Sequence, residues 1–208
     1  MKSFKIPYKV DSTNKSMLLE LRRMQSIVIR TAYNEYFEGN NNVKSIKAKI
    51  ASYSNIDLPA TMILYGIIEG KAIFDSEKVR KEGLKKQYQD KLDELEQSFE
   101  KIKKGRSKNK TFKCRKILKR LFFTKKKLID VDKHRTVFGS RKSFFDRIKN
   151  KISKEEWMNA RLNNLVVFGD TLHHGNRHCR LDMENRTLVV KMGRNSQKII
   201  LHLYFHFY

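Results

Sequence analysis

Apolar and polar residues alternate over 3–10, SFKIPYKV, the period of a strand with one dry face. Asp11 to Thr13 then make a polar stop and a helix cap. From Lys15 to Phe37, apolar residues fall at 17, 18, 21, 24, 27, 28, 32, 33 and 36, which is helical spacing. The run GNNN at 39–42 ends that helix, and a short one follows near 43–51. Pro59 sits near the first turn of an apolar helix that reaches Phe74. Leu84, Tyr88, Leu92, Leu95, Phe99 and Ile102 then recur in a heptad-like pattern among mixed charges. The loop KKGRSKN breaks it, and a basic helix over 111–129 completes an antiparallel hairpin, 77–129. Within that arm Phe112, Ile117, Leu118, Leu121, Phe122 and Leu128 are expected to form a dry face.

After residue 130 the texture shortens. Phe144, Phe145 and Ile148 share a short helix, and Ser153 with Glu156 forms a capping-box pattern before Trp157. Residues 165–208 read as three or four strands, with turns at 184–186 and 193–196. The fold class expected is α+β. A small antiparallel β-barrel combines residues 1–12 with 132–208, and residues 13–131 are a helical insertion containing the hairpin.

Charge turns this architecture toward a partner. The 208 residues hold 46 Lys or Arg against 22 Asp or Glu, a net +24. Fourteen of the basic residues lie in 101–128, where there is no acid. A field this dense calls for a polyanion, and nucleic acid is the first candidate. The candidate contacts on the arm are Lys113, Arg115, Lys116, Lys119 and Arg120. Arg141, Lys142, Arg147, Lys149 and Lys151 form a second basic group, and the Gly175-Asn176-Arg177 turn is a third. The plainer alternatives are a solvated coiled coil and an ordinary β-turn.

Other chemistries find little support. Cys114 and Cys179 form no CxxC pair, so a reduced, cytoplasmic setting fits. Histidines cluster late, at 134, 173, 174, 178, 202 and 206, but lack the tight paired spacing of zinc ligands. No GxxxxGK[ST], GxSxG or HExxH occurs. Asp170, Asp182 and Glu184 read as turn residues or as partners of Arg177, Arg180 and Arg186. No catalytic residue, metal or cofactor is assigned. The N-terminus has no apolar signal core, and no stretch is long and apolar enough to span a membrane.

One ordered series points to a family. Phe138-Gly139-Ser140-Arg141-Lys142 precedes a short basic helix. Ser153 to Glu156 opens the next helix, and Gly169, Gly175, Asn176 and Arg177 lead into a strand. Upstream lie RTAYNEYFE and the Leu58-Pro59 helix start. This series resembles the N-terminal half of TnpB-type transposon nucleases and type V CRISPR effectors. The resemblance implies a wedge strand, a helical recognition insertion and a wedge barrel, in a bacterial or phage-encoded protein acting inside the host cell. In that family the catalytic carboxylates and zinc-ribbon cysteines lie on a later RuvC-like domain, and this chain stops at Tyr208. The expectation is a nuclease-free protein that grips a structured, guide-type RNA and an RNA–DNA heteroduplex by backbone and shape, with target DNA as a further partner. A regulator that captures guide RNA from a full-length RNA-guided nuclease, a decayed fragment and a generic basic duplex binder stand as alternatives.

Overall fold

A computed structural model describes residues 7–105, 109–169, 176, 178–192 and 197–204. The chain is mixed α+β, 65% of the described residues being helical, with one four-stranded antiparallel sheet. In chain order the elements are β1 (Tyr8–Lys9), α1 (Ser12–Phe37), α2 (Val43–Ala51), α3 (Ala60–Lys104), α4 (Lys110–Asp130), a 3₁₀ turn (Val131–Lys133), α5 (Arg141–Ile148), α6 (Lys154–Ala160), β2 (Cys179–Asp182), β3 (Thr187–Met192) and β4 (Gln197–Leu203). Two compact units result, one of residues 1–74 with 137–208, the other of 75–136.

The first unit is organised around α1. Asp11 caps it by accepting from the Asn14 N–H at 2.7 Å. Its buried stripe, Leu21, Met24, Val28, Ala32 and Tyr36, repeats at helical spacing. The stripe belongs to one core with Ile46 and Ile50 of α2, Met62, Ile63 and Ile67 of α3, and Val190, Ile199 and Leu201 of the sheet. Helices α1 and α3 come very close, because α3 carries Gly66 and Gly70. A Cβ on Gly70 would lie 2.7 Å from the Ile29 carbonyl oxygen and 2.8 Å from the Ala32 Cβ. Glu35 ties α1 to α2 through Lys49 and accepts from Asn40 Nδ2 at 2.7 Å. The Lys49 contact, then Asn40, holds its carboxyl below the ordinary glutamate range.

The sheet order is β1-β4-β3-β2. Tyr8 pairs with Leu203, Val190 with Ile199, and Cys179 with Val190. The N-terminal strand therefore joins the C-terminal strands, as its alternation predicts. On one face Leu188 opposes Leu201 and Val190 opposes Ile199, toward the core; on the other, Lys191 opposes Lys198.

Three expectations need correction. The sheet does not close into a barrel, since β1 and β2 stand at opposite edges. Closure is replaced by cover: α1 and its neighbours bury the dry face. Next, 163–169 is not a sheet strand. Gln25 Nε2 donates to the Val166 carbonyl at 2.7 Å, and the Val166 N–H donates to Gln25 Oε1 at 2.8 Å. Ser26 Oγ accepts from the Asn163 N–H at 2.8 Å, and Arg22 Nε donates to the Asn163 carbonyl. Side chains of α1 thus stand where a neighbouring strand would. Third, α3 is continuous where two helices were expected, because nothing from Asp75 to Glu82 is a breaker and its glycines are tolerated within a helix. The compact units divide at 74/75 and 136/137, with α1 and α2 in one core with the sheet. Residues 3–6 and the turn 193–196 lie outside the described residues. The capping box at Ser153 forms, with both reciprocal bonds present.

In the second unit the later part of α3 and α4 run antiparallel. Lys85 Nζ meets Asp132 at 2.7 Å while Lys125 Nζ meets Glu96 at 3.3 Å. Leu92, Leu95, Ile117 and Leu121 form its small core. At its base, buried Glu77 accepts from the Thr136 N–H at 3.0 Å and pairs with Lys81 at 2.9 Å.

Gly70→Ala is expected to lower the melting temperature by the equivalent of ~1–3 kcal/mol, because backbone must move. Gly83→Ala is expected to raise it by ~0.5–1 kcal/mol, since a Cβ there meets nothing within 4 Å. The Glu35 carboxyl is depressed when folded, so its contribution is present above the ordinary value of 4.5 and lost as pH falls through the folded value. Melting curves of Glu35→Gln should accordingly decline less steeply with acid than those of the parent.

Candidate nucleic-acid interface

Helix α4 has little local reason to be a helix. Asn109 at its N-cap makes no side-chain cap bond, and its first turn holds no acid to offset the macrodipole. Packing holds it instead. Ile117, Leu121 and Thr124 are buried, and Leu128 packs on the same small core. This stripe is narrower than the sequence pattern suggests. Phe112, Leu118 and Phe122, expected on the dry face, are exposed. Among the described residues of α4 only Ile117, Leu121 and Thr124 are buried, so a single stripe is covered.

One flank of α4, beside its seam with α3, faces a groove of about 650 Å³. Arg115, Lys116, Lys119, Arg120 and Lys127 line it, joined by Lys91 from α3. Phe112, Phe123 and Thr124 complete the lining, which contains no acid. Positions 112, 116, 119, 123 and 127 advance by three or four residues, so they form one stripe along the helix. Four of the five arm residues singled out from sequence, Arg115, Lys116, Lys119 and Arg120, are therefore brought together. Lys113 is also exposed on α4 but does not line the groove. Lys91, Lys127 and the stacking surface of Phe123 were missed. Their signal was present in the sequence as helical spacing, but Lys91 lies in the arm where acids mask the charge.

The second basic group is held differently, on α5 and the turn after it. Gly139 and Ser140 both have positive φ, 86° and 74°. A Cβ at Gly139 would strike Arg161 Cγ at 2.8 Å, so this turn admits only glycine beside the end of α6. Ser140 then caps α5 by accepting from the Ser143 N–H. Arg141, Lys142, Lys149 and Lys151 are exposed. Arg147 is half-buried and donates to the Ile152 carbonyl at 3.4 Å, which gives it a part in holding the turn. Phe144 packs against Trp157 at 6.0 Å, and the Arg141 guanidinium lies over Phe145 at 5.6 Å.

Of the third group only Asn176 is described; Gly175 and Arg177 lie outside. Asn176 Oδ1 accepts from the backbone N–H of His178 and Cys179, at 2.8 and 3.0 Å. Its side chain shapes the entry to β2. His178 bonds Thr61 through Nε2, and its ring meets that of Tyr65. Burial pushes the Cys179 thiol up. Asp182 accepts from the Asn185 N–H at 3.0 Å and its Nδ2 at 2.9 Å, and these bonds hold its carboxyl down. Asp170 is outside the described residues. Among the described residues no three His, Cys, Asp or Glu side chains converge on a point, and no helix is long and apolar enough to cross a membrane.

Comparison with known proteins finds no matching family model, no matching curated protein and no matching solved structure.

Substituting Gln for Lys113, Arg115, Lys116, Lys119 and Arg120 together is expected to leave the melting temperature nearly unchanged, as exposed charges contribute only ~0–1 kcal/mol per pair. Leu121→Ala should cost ~2–5 kcal/mol, because it empties the small hairpin core. Thermal unfolding of the two variants separates the charged face from the packed one.

Proposed function

We propose that this protein binds structured RNA through the cationic face of α4, by charge and backbone shape and without cutting. The observation that carries the reading is the groove itself, with six basic side chains and no acidic one. Lysine and arginine gathered this densely repel one another, and phosphate relieves that repulsion while releasing condensed counterions. The arginines add planar, forked donors that match a phosphate's oxygens. The exposed Arg141, Lys142, Lys149 and Lys151 supply further phosphate contacts on the other unit.

The resemblance to TnpB-type proteins makes the RNA guide-like and adds an RNA–DNA heteroduplex as a second ligand. Sequence choice then belongs to base pairing, and the protein supplies the grip. Hydrolysis in that family runs through metal-bound carboxylates. Here Asp182 is occupied with its own turn, and Glu184 is exposed beside it.

Sequencing of nucleic acid that co-purifies with the chain should return one structured RNA. Its affinity should fall about 10³–10⁵-fold between roughly 50 and 200 mM salt if ~6–10 phosphates are contacted. The five-site Gln variant should bind more weakly with a shallower salt slope. Binding should survive EDTA, with no Mg²⁺-dependent cleavage. A flat salt response or full binding by the Gln variant would refute the proposal, and cleavage lost in Asp182→Ala would refute its non-catalytic part.

A further inference from the structure

The groove on α4 is more than cationic. Phe112 and Phe123 are eleven residues apart, three helical turns, so they stand roughly 16 Å apart along one side. Their rings are 71% and 49% exposed. Arg115, Lys116 and Lys119 fall between them on the same stripe. The helix keeps Ile117 and Leu121 for its own core and leaves two large rings in the groove with the cations. Duplex nucleic acid makes poor use of such rings, since its bases already stack on one another and it presents mainly phosphate and sugar. An unpaired strand presents both partners this stripe needs: a π-face for each ring and phosphates for the cations between. A second copy of this chain is a poor occupant, because it would bring another +24 to an already cationic surface.

We propose that this groove takes single-stranded nucleic acid, with bases stacked on Phe112 and Phe123 and the intervening phosphates against Arg115, Lys116 and Lys119. This rests on reading the groove as a nucleic-acid site and narrows it to unpaired nucleotides, such as the loops or ends of a structured RNA. Because every base has a π-face, the site is tolerant of sequence. Its reach, three turns of helix, suits a short run of nucleotides at the lower end of the ~4–16 that comparable single-strand grooves cover.

The test uses the full chain and fluorescence anisotropy with two probes, a labelled oligouridylate and a blunt RNA duplex of equal length. In the Phe112→Ala/Phe123→Ala variant, oligouridylate affinity should fall by about 30-fold or more, with salt slope and duplex affinity unchanged. Phe112→Trp/Phe123→Trp should retain single-strand binding. Leu118→Ala, which trims an exposed side chain outside the groove, should bind as the parent does. Both rings are exposed, so circular dichroism and melting should show the variants folded. If the double Ala variant binds oligouridylate normally, or loses duplex and single strand equally, the stacking assignment fails while the electrostatic reading stands. If the parent binds neither probe, the underlying reading fails too. A parent dimer that dissociates in the double Ala variant, with oligouridylate binding intact, reassigns the rings to a second copy and overturns the inference.

Discussion

The backbone N–H and C=O of Asn163 and Val166 are bonded by side chains of α1, which ties this extended segment to the helix at the centre of the first unit. Buried N–H and C=O groups must be paired somewhere. Gln25 presents one donor and one acceptor in a plane, and so imitates the edge of a strand toward Val166. Ser26 and Arg22 do the same for Asn163. One helix face thereby covers the apolar side of the sheet while an adjacent strip acts as a polar rail for extended chain. Arg30 extends the rail to the Arg161 carbonyl, and burial, with Arg161 nearby, pushes its guanidinium down to about 10. The rail fixes where α6 ends and where the chain departs toward β2.

That rail also marks where sequence reading stops. The period of α1 and the capping box at Ser153 were legible because each follows from local spacing, and alternation marked strands at the two chain ends. The run around Leu165 to Phe168 has the composition of a strand. Nothing in it announces that its partner is a helix more than a hundred residues earlier. Gln25 and Ser26 look like ordinary helix-surface residues until the fold buries them. The GIIEG run of α3 is similar: two small residues four apart signal close helix contact only when the facing helix is known. In the candidate site the basic residues of α4 were plain, but its phenylalanines were not. A Phe on a helix reads as core by default, yet Phe112 and Phe123 stand outside the stripe that Ile117 and Leu121 bury.

The two units divide the work of stability and charge. The first has a layered core of helices and sheet, and most of its polar contacts are structural. In the second, Leu92, Leu95, Ile117 and Leu121, with the Glu77–Lys81–Thr136 base, hold two helices together, and the rest of α4 is left to carry basic residues. α3 carries mixed charge, whereas α4 is mostly basic, with Lys125 paired to Glu96 across the hairpin.

The missing cap of α4 has a thermodynamic consequence. A helix with lysines in its first turn and no acid to answer the macrodipole is held short of its full stability by its own charge. Phosphate oxygens near that end would supply the absent counter-charge. Ligand and helix end are then linked equilibria, each strengthening the other by mass action. On the proposed reading, the order of this arm becomes a property of the protein together with its polyanion, and removing that ligand draws down the stability of the surface proposed to bind it.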